Sequence, residues 1–323
     1  MGIRFGKVSL VAVCTCFIFF CSNLRMRAAV NDSITSQQDS KSYQMEDSSA
    51  NDKVTFSSSG AISSTSNNST PAINITVQGG VALTPENLFT LMFANDPLVN
   101  TAITNAAGEQ VLAHVYATNV TNYQMAVGVR LAPGVNLTID ADKENGVAKY
   151  RPTIAAYSST TTSGAAVGLW AAGGTAEANK NVLTFAAPVS IYGRSIASAS
   201  GNWADATASA IGTANYKSDT SAPVNNLTAT FVDNNTLSAS ATSSSSGNSS
   251  NVRSGAVAIG AAASAVYSPT NSFVNNLTAT FGNGNTLSAS ADATATSSGN
   301  QYGAHSGAAV IGTAVGFFGS NGS

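Results

Sequence analysis

Ala258-Ile259-Gly260-Ala261 is one of five copies of a short apolar stretch. The others are Ala126-Val127-Gly128-Val129, Ala166-Val167-Gly168-Leu169, Ala210-Ile211-Gly212-Thr213 and Val310-Ile311-Gly312-Thr313. Their glycines stand 40, 44, 48 and 52 residues apart. Self-similarity at such a period is the mark of stacked repeats, in which each unit buries its apolar face against its neighbours. An apolar or β-branched residue beside a glycine suits a buried strand where another backbone approaches closely. The copies therefore predict one wall strand laid down in successive coils of a β-solenoid, with the glycines stacked in a column.

A second marker runs in phase with the first: Leu137-Thr138-Ile139, Leu183-Thr184-Phe185, Leu227-Thr228-Ala229 and Leu277-Thr278-Ala279. The heptapeptide Asn225 to Phe231 recurs unchanged at Asn275 to Phe281, and Asn235 to Ala241 recurs at Asn285 to Ala291. Within these copies Leu227, Ala229 and Phe231 alternate with Thr228 and Thr230, the period-two signature of a half-buried strand. Asn/Gly turns such as Val232-Asp233-Asn234-Asn235 and Gly282-Asn283-Gly284-Asn285 separate the strands, because both residue types accept left-handed backbone angles. Four units follow: 135–180, 181–224, 225–274 and 275–323. Units of this length, with several strands apiece, predict about two coils of a parallel β-helix each. The fold class expected is all-β, a right-handed parallel β-helix.

Upstream of the repeats the chain changes character. Residues 1–30 carry Arg4 and Lys7 ahead of an apolar run from Val8 to Cys21, the anatomy of a secretory signal peptide; an uncleaved anchor and a lipoprotein are the alternatives. All three cysteines, Cys14, Cys16 and Cys21, lie in that run, so a processed chain has neither disulfides nor cysteine–metal sites. Residues 31–70 are rich in Ser, Asn, Asp and Gln and predict a disordered spacer, with Val54-Thr55-Phe56 as an isolated strand. Residues 71–134 predict an N-terminal cap and first coil. Ile73 to Val77 alternates as a strand, whereas Thr84, Pro85 and Glu86 open a helical pattern through Leu88, Leu91 and Met92. A second turn of helix after Asp96-Pro97 completes a short helical cap near residues 85–107. The run from Thr242 to Ser250 has nothing apolar to bury and predicts an outer loop.

Charged residues are only 9% of the chain, against roughly a quarter in ordinary soluble domains, and the net charge is −2. There is no basic stripe, which excludes a nucleic-acid partner. The two histidines, His114 and His305, have no companion at metal-ligand spacing, and no Gly-x-Ser-x-Gly elbow occurs. Gly282-Asn283-Gly284-Asn285-Thr286-Leu287 is similar to a calcium-binding nonapeptide, but Asn285 stands where the motif needs aspartate and nothing repeats at nine residues. No catalytic, cofactor-binding or metal residue is therefore assigned. Asp140, Asp142, Glu144, Lys149 and Arg151 form the densest charge cluster; it reads as a solvated turn, with a carbohydrate lyase or hydrolase site as the alternative.

The Asn-Thr-Leu strands (Asn235-Thr236-Leu237, Asn285-Thr286-Leu287) and the Ala-x-Gly wall copies resemble the passenger region of bacterial autotransporter adhesins over residues 73–323. The resemblance implies display outside the outer membrane as a non-enzymatic, adhesin-like or structural protein. Host surface or matrix glycans and proteins are the implied partners. The family's C-terminal membrane barrel has no match here, so the implied translocator is one encoded separately, or the chain is one part of a split gene. Ser254 to Ala265 is similar to the head repeats of trimeric autotransporter adhesins, though the 14-residue period of those heads is missing.

Overall fold

The computed structural model describes residues 30–45, 51–65, 70–78, 88–176, 179–201, 203–215, 223–247, 251–264, 274–296 and 303–315. The expected signal peptide lies outside the described residues, apart from Val30.

Successive coils of three strands repeat in one order. The first is β1 (Asn31–Ile34), β2 (Gln37–Gln38) and β3 (Lys41–Met45); the second is β4 (Asp52–Ser57), β5 (Ala61–Ser64) and β6 (Ile73–Val77). The third runs from β7 (Leu88–Ala94) through an inserted hairpin, β8 (Val99–Thr104) and β9 (Gln110–Ala113), to β10 (Val115–Asn119) and β11 (Gln124–Leu131). The fourth begins with β12 (Asn136–Ala141), carries a small hairpin of β13 (Lys143–Glu144) and β14 (Val147–Ala148), and closes with β15 (Thr153–Thr160) and β16 (Ser163–Ala171). The fifth is β17 (Asn181–Phe185), β18 (Ser190–Ala199) and β19 (Trp203–Asn215); the sixth is β20 (Val224–Phe231), β21 (Thr236–Ser245) and β22 (Asn251–Ala263). The last is β23 (Val274–Phe281), β24 (Thr286–Ala295) and β25 (Gly303–Val315).

Like strands pair with like. First strands form one seven-stranded sheet (A), second strands another (B) and third strands a third (C). Every neighbour within these sheets is parallel, as in Leu227↔Leu277, Leu237↔Leu287 and Ile259↔Ile311. The architecture is a three-sheet β-solenoid. Each sequence repeat is one coil and not two, because β19, β22 and β25 are single strands of 13 residues that use up the length expected of a second turn.

Side chains stack as the register requires. Phe185, Phe231 and Phe281 form an inner aromatic column with ring centroids 4.4 and 4.8 Å apart, and Phe56 stacks on Phe93 at 4.6 Å. Asparagines bridge coils at the corners: Asn235 Nδ2 donates to Asn285 Oδ1 at 2.6 Å and Asn276 Nδ2 to Asn226 Oδ1 at 2.8 Å. These bonds satisfy polar groups where the backbone leaves one sheet for the next.

The glycine markers fall into two columns in sheet C. Val127 and Val129 pair with Val167 and Leu169, which sets Gly128 opposite Gly168. One coil on, Gly212 faces Trp170, two residues along, and Gly212, Gly260 and Gly312 then stack. A slip of two keeps every side chain on its own face, where a slip of one would turn the strand inside out. In the second column the backbone is left-handed, φ being 123°, 138° and 119°. A Cβ on Gly260 would collide with the backbone of Gly312.

That glycine bends the strand back on itself. A Cβ added to Gly255 would lie 2.6 Å from the carbonyl oxygen of Ala263, although eight residues of straight strand span about 26 Å. The doubled sheet encloses a second, narrow core of Ala165, Val167, Ala214, Val257, Ala262 and Ala314. All 13 residues of β22 are consequently buried, on both faces.

Three sequence expectations are corrected. Residues 88–94 and 99–104 are strand, not a helical cap: Phe89, Leu91 and Phe93 point inward from β7, and β8 pairs antiparallel with β9. Residues 85–87 lie outside the described residues. The expected spacer at 31–70 carries β1 to β5, since Ile34, Tyr43, Met45, Val54, Phe56 and Ile62 are enough to fill a narrow interior once stacked. The expected loop at 242–250 is strand as far as Ser245, where β21 pairs Ser243 and Ser245 with Ala293 and Ala295 of β24.

Candidate functional site

The outer face of sheet B offers a candidate binding site. Strand alternation sends Tyr157 of β15, Tyr192 and Arg194 of β18, and Ser238 and Ser240 of β21 away from the core. Parallel register aligns Tyr157 with Arg194 and Ser240, and Tyr192 with Ser238, in adjacent coils. The β8–β9 hairpin folds down beside them, with Val99, Ile103, Val111 and Ala113 packed on Ala61, Tyr116 and Ala155. The Tyr116 hydroxyl accepts the Ala102 N–H at 3.0 Å, which holds the hairpin to the sheet.

The hairpin edge and the sheet make a shallow, half-open depression of about 220 Å³. Ile103, Thr104, Tyr192, Arg194, Ser238 and Ser240 line it. Neither tyrosine hydroxyl nor the half-buried Arg194 guanidinium makes a hydrogen bond or ion pair with the described residues, whereas the buried Arg253 donates twice to Asp205 in sheet C. The arrangement presents two ring faces, one cation and a terrace of hydroxyls. It can bind; it brings no acid–base pair or nucleophile–base pair together.

The second polar feature lies in the fold of sheet C. Ser163, Asp205, Arg253 and His305 occupy one register column in four successive coils. Arg253 donates twice to Asp205, Nε to Oδ1 and Nη2 to Oδ2, both at 2.7 Å, and its guanidinium lies 5.5 Å from the Trp203 ring. Burial pushes the Asp205 carboxyl up to about 6, against the opposing pull of Arg253 and Ser163. Arg253 Nη1, Thr207 Oγ1 and Asn251 Oδ1 remain buried without hydrogen-bond partners. The column is a structural clamp on the doubled sheet.

The residues singled out from sequence fall elsewhere. Asp140 pairs with Lys143 at 3.1 Å beside the β13–β14 hairpin, where Asp142 and Glu144 are exposed. Lys149 sits over the Tyr150 ring, and Arg151 turns away to donate to the Asn234 carbonyl oxygen at 2.9 Å. The five charges do not meet in a groove. His114 is fully buried: its Nδ1 accepts the Thr153 N–H at 3.1 Å and its Nε2–H donates to the Asn95 carbonyl oxygen at 2.8 Å. Burial pushes its pKa down to about 4, and its ring packs edge-on against Phe93. The Gly282 to Leu287 turn is held by Asn285, whose Nδ2 donates to the Gly282 carbonyl oxygen at 2.8 Å. Among the described residues no group of three His, Cys, Asp or Glu could hold a metal ion, and no helix is long and apolar enough to cross a membrane.

Tyr157, Tyr192, Arg194, Asp205 and Arg253 were not singled out by the sequence reading, yet a signal existed for the last pair. Asp205 and Arg253 stand 48 residues apart, the same spacing as Gly212 and Gly260. Projecting the local period onto charged residues would have paired them. No family model, no curated protein and no solved structure matches the chain.

Proposed function

We propose that this protein is a non-enzymatic β-solenoid of the cell surface or extracellular space, adhesin-like and wound right-handed as autotransporter passengers are. The right-handed sense is the one that parallel crossovers of twisted strands overwhelmingly take. The observation that carries the proposal is the outer face of sheet B. There, two tyrosine rings and a free guanidinium stand beside rows of Ser and Thr that repeat from coil to coil, with no catalytic constellation among them. Such a face binds through many weak contacts whose strength comes from multivalency. Outer-membrane association belongs to the same proposal and follows from the resemblance of the repeats. The carbohydrate-enzyme reading has less support, because its five charged residues lie along a solvent-facing hairpin and a corner.

The test is retention of particles displaying the full chain on arrays of matrix proteins and glycans. Retention above particles carrying a scrambled-sequence chain is expected. Equal retention of the two on every spot removes the adhesion claim and leaves the fold standing.

A further inference from the structure

We infer that the depression beside the β8–β9 hairpin is a binding site for an acidic saccharide, with Arg194 taking the carboxylate and Tyr192 taking the ring. The inference rests on the surface-binding function proposed above and assigns its ligand class.

Charge comes first. Arg194 is the only charged residue lining the depression, and no carboxylate of the described residues neutralises it. The nearest acid in the aligned rows of sheet B is Asp292, which sits opposite Thr242, two coils from the β18 strand of Arg194. An unpaired guanidinium on a half-buried, partly apolar floor is a bidentate receptor for a planar carboxylate. Ring faces come next. Tyr157 and Tyr192 pack on the hairpin core and so are held in place, with ordering costs already met by folding. Tyr192, which lines the depression, offers flat apolar surface and a hydroxyl at its edge, which suits a pyranose with its C–H face and its rim of hydroxyls. The terrace follows. Ser238 and Ser240 border the depression, and Ser288 and Ser290 continue the rows one coil further. Coils repeat every 4.7–4.9 Å or so, so a chain of sugars running along the axis meets a fresh pair of hydroxyls at each step.

A peptide fits less well. Extended peptides gain affinity chiefly by main-chain pairing at a free sheet edge. β15, β18 and β21 are each paired on both sides, so this face has no backbone donors or acceptors to spare. At about 220 Å³ the depression is smaller than an ordinary small-molecule pocket, so each site binds weakly and the terrace supplies the rest.

The experiment is calorimetric titration of the purified full chain with oligogalacturonate, with its methyl-esterified neutral form and with an oligoglutamate peptide of equal charge. Oligogalacturonate is expected to bind, to weaken with added salt, and to lose at least tenfold in affinity in Arg194→Gln and several-fold in Tyr192→Ala. Arg194 makes no internal bond, so Arg194→Gln should melt like the parent. Arg194→Lys should recover only part of the loss, since it keeps the charge and not the fork. Binding that is indifferent to Arg194→Gln, binding of the neutral ester at equal strength, or tighter binding of oligoglutamate overturns the inference. Failure to bind oligogalacturonate while displayed particles still adhere to other array spots sinks the ligand class and spares the proposed function; loss of both sinks both.

Discussion

The first four coils and the last three solve one packing problem with different side chains. In the first four the interior is filled by bulk: Phe56, Phe89, Phe93, Met45, Ile62 and Leu137 are among the largest fully buried residues. In the last three, the space between sheets B and C is lined by Ala197, Ala199, Ala204, Ala206, Ala208, Ala239 and Ala241, with Val252 and Ala256. Large side chains specify register by shape, because a misplaced phenyl ring leaves a void in one place and a clash in another. Alanine specifies almost nothing, since one methyl group fits where another did. Beyond the Phe185–Phe231–Phe281 column against sheet A, the late coils therefore need other devices to fix their register. They have three: a glycine bend, asparagine bridges between coils, and one buried ion pair.

If that contrast is right, the most damaging substitution is at the bend. Gly260→Val places a branched side chain at φ 138° and against the Gly312 backbone. Strain and overpacking together should cost about 4–5 kcal/mol. Chemical denaturation should show the late coils melting early while the early coils persist, as a quasi-one-dimensional array allows. Gly201→Ala is the control, because its Cβ would enter open space. It should stay within about 0.5 kcal/mol of the parent. A Gly260→Val protein as stable as the control would mean that the bend does not set the register.

The ion pair is the next device to test. Asp205 and Arg253 are both buried, and they join coils five and six across the doubled sheet. Asp205→Ala should cost about 3–4 kcal/mol, because it strands a guanidinium away from water. The double variant Asp205→Ala with Arg253→Met should recover much of that loss, since an apolar pair brings no unpaired charge. The comparison is read from denaturation midpoints. A double variant no better than Asp205→Ala would show that the pair is held for its own stabilisation and not as a register clamp.

The same contrast explains what the sequence disclosed. The last two coils share unchanged stretches, so their strands, turns and stacked glycines could be read directly from Asn225–Phe231 against Asn275–Phe281. Early coils share an architecture without sharing a sequence. In β7, Leu88, Leu91 and Met92 fall at helical spacing, and the outward residues are too apolar to expose the alternation that the inward Phe89, Leu91 and Phe93 obey. In β1 to β5, single apolar residues among polar ones look too sparse to order a chain. They suffice only because neighbouring coils line them up, and that alignment is invisible in a local window. The depression on sheet B was hidden for a related reason. Tyr157 and Arg194 are 37 residues apart, in coils whose lengths differ, and only the paired register brings them side by side. The charge cluster from Asp140 to Arg151 was conspicuous because it is local, and it proved to be a hairpin and a corner.

Early coils also bury a titratable group, but with burial outweighing the pull of Asp96, and this gives the smallest of the three effects. His114 is neutral in the fold, donating from Nε2–H and accepting at Nδ1, with Phe93 against its ring. Its pKa falls from 6.5 to about 4, chiefly through burial. Between those values the unfolded chain binds a proton that the folded chain refuses, so stability rises with pH through the window. The contribution is complete above pH 6.5 and is lost as pH falls towards 4, at most about 3 kcal/mol for a shift of this size. Asp205 works the other way over part of the same range, since its raised pKa favours the protonated fold between 3.8 and about 6. Whole-protein melting would therefore blend the two, and the imidazole signal itself separates them. The His114 ring proton should hold its neutral position down to about pH 5, well below the point at which an ordinary imidazole is half-protonated. A midpoint near 6.5 would mean that water reaches the ring, and that the shape-filled interior of the early coils is looser than the phenyl stack beside it implies.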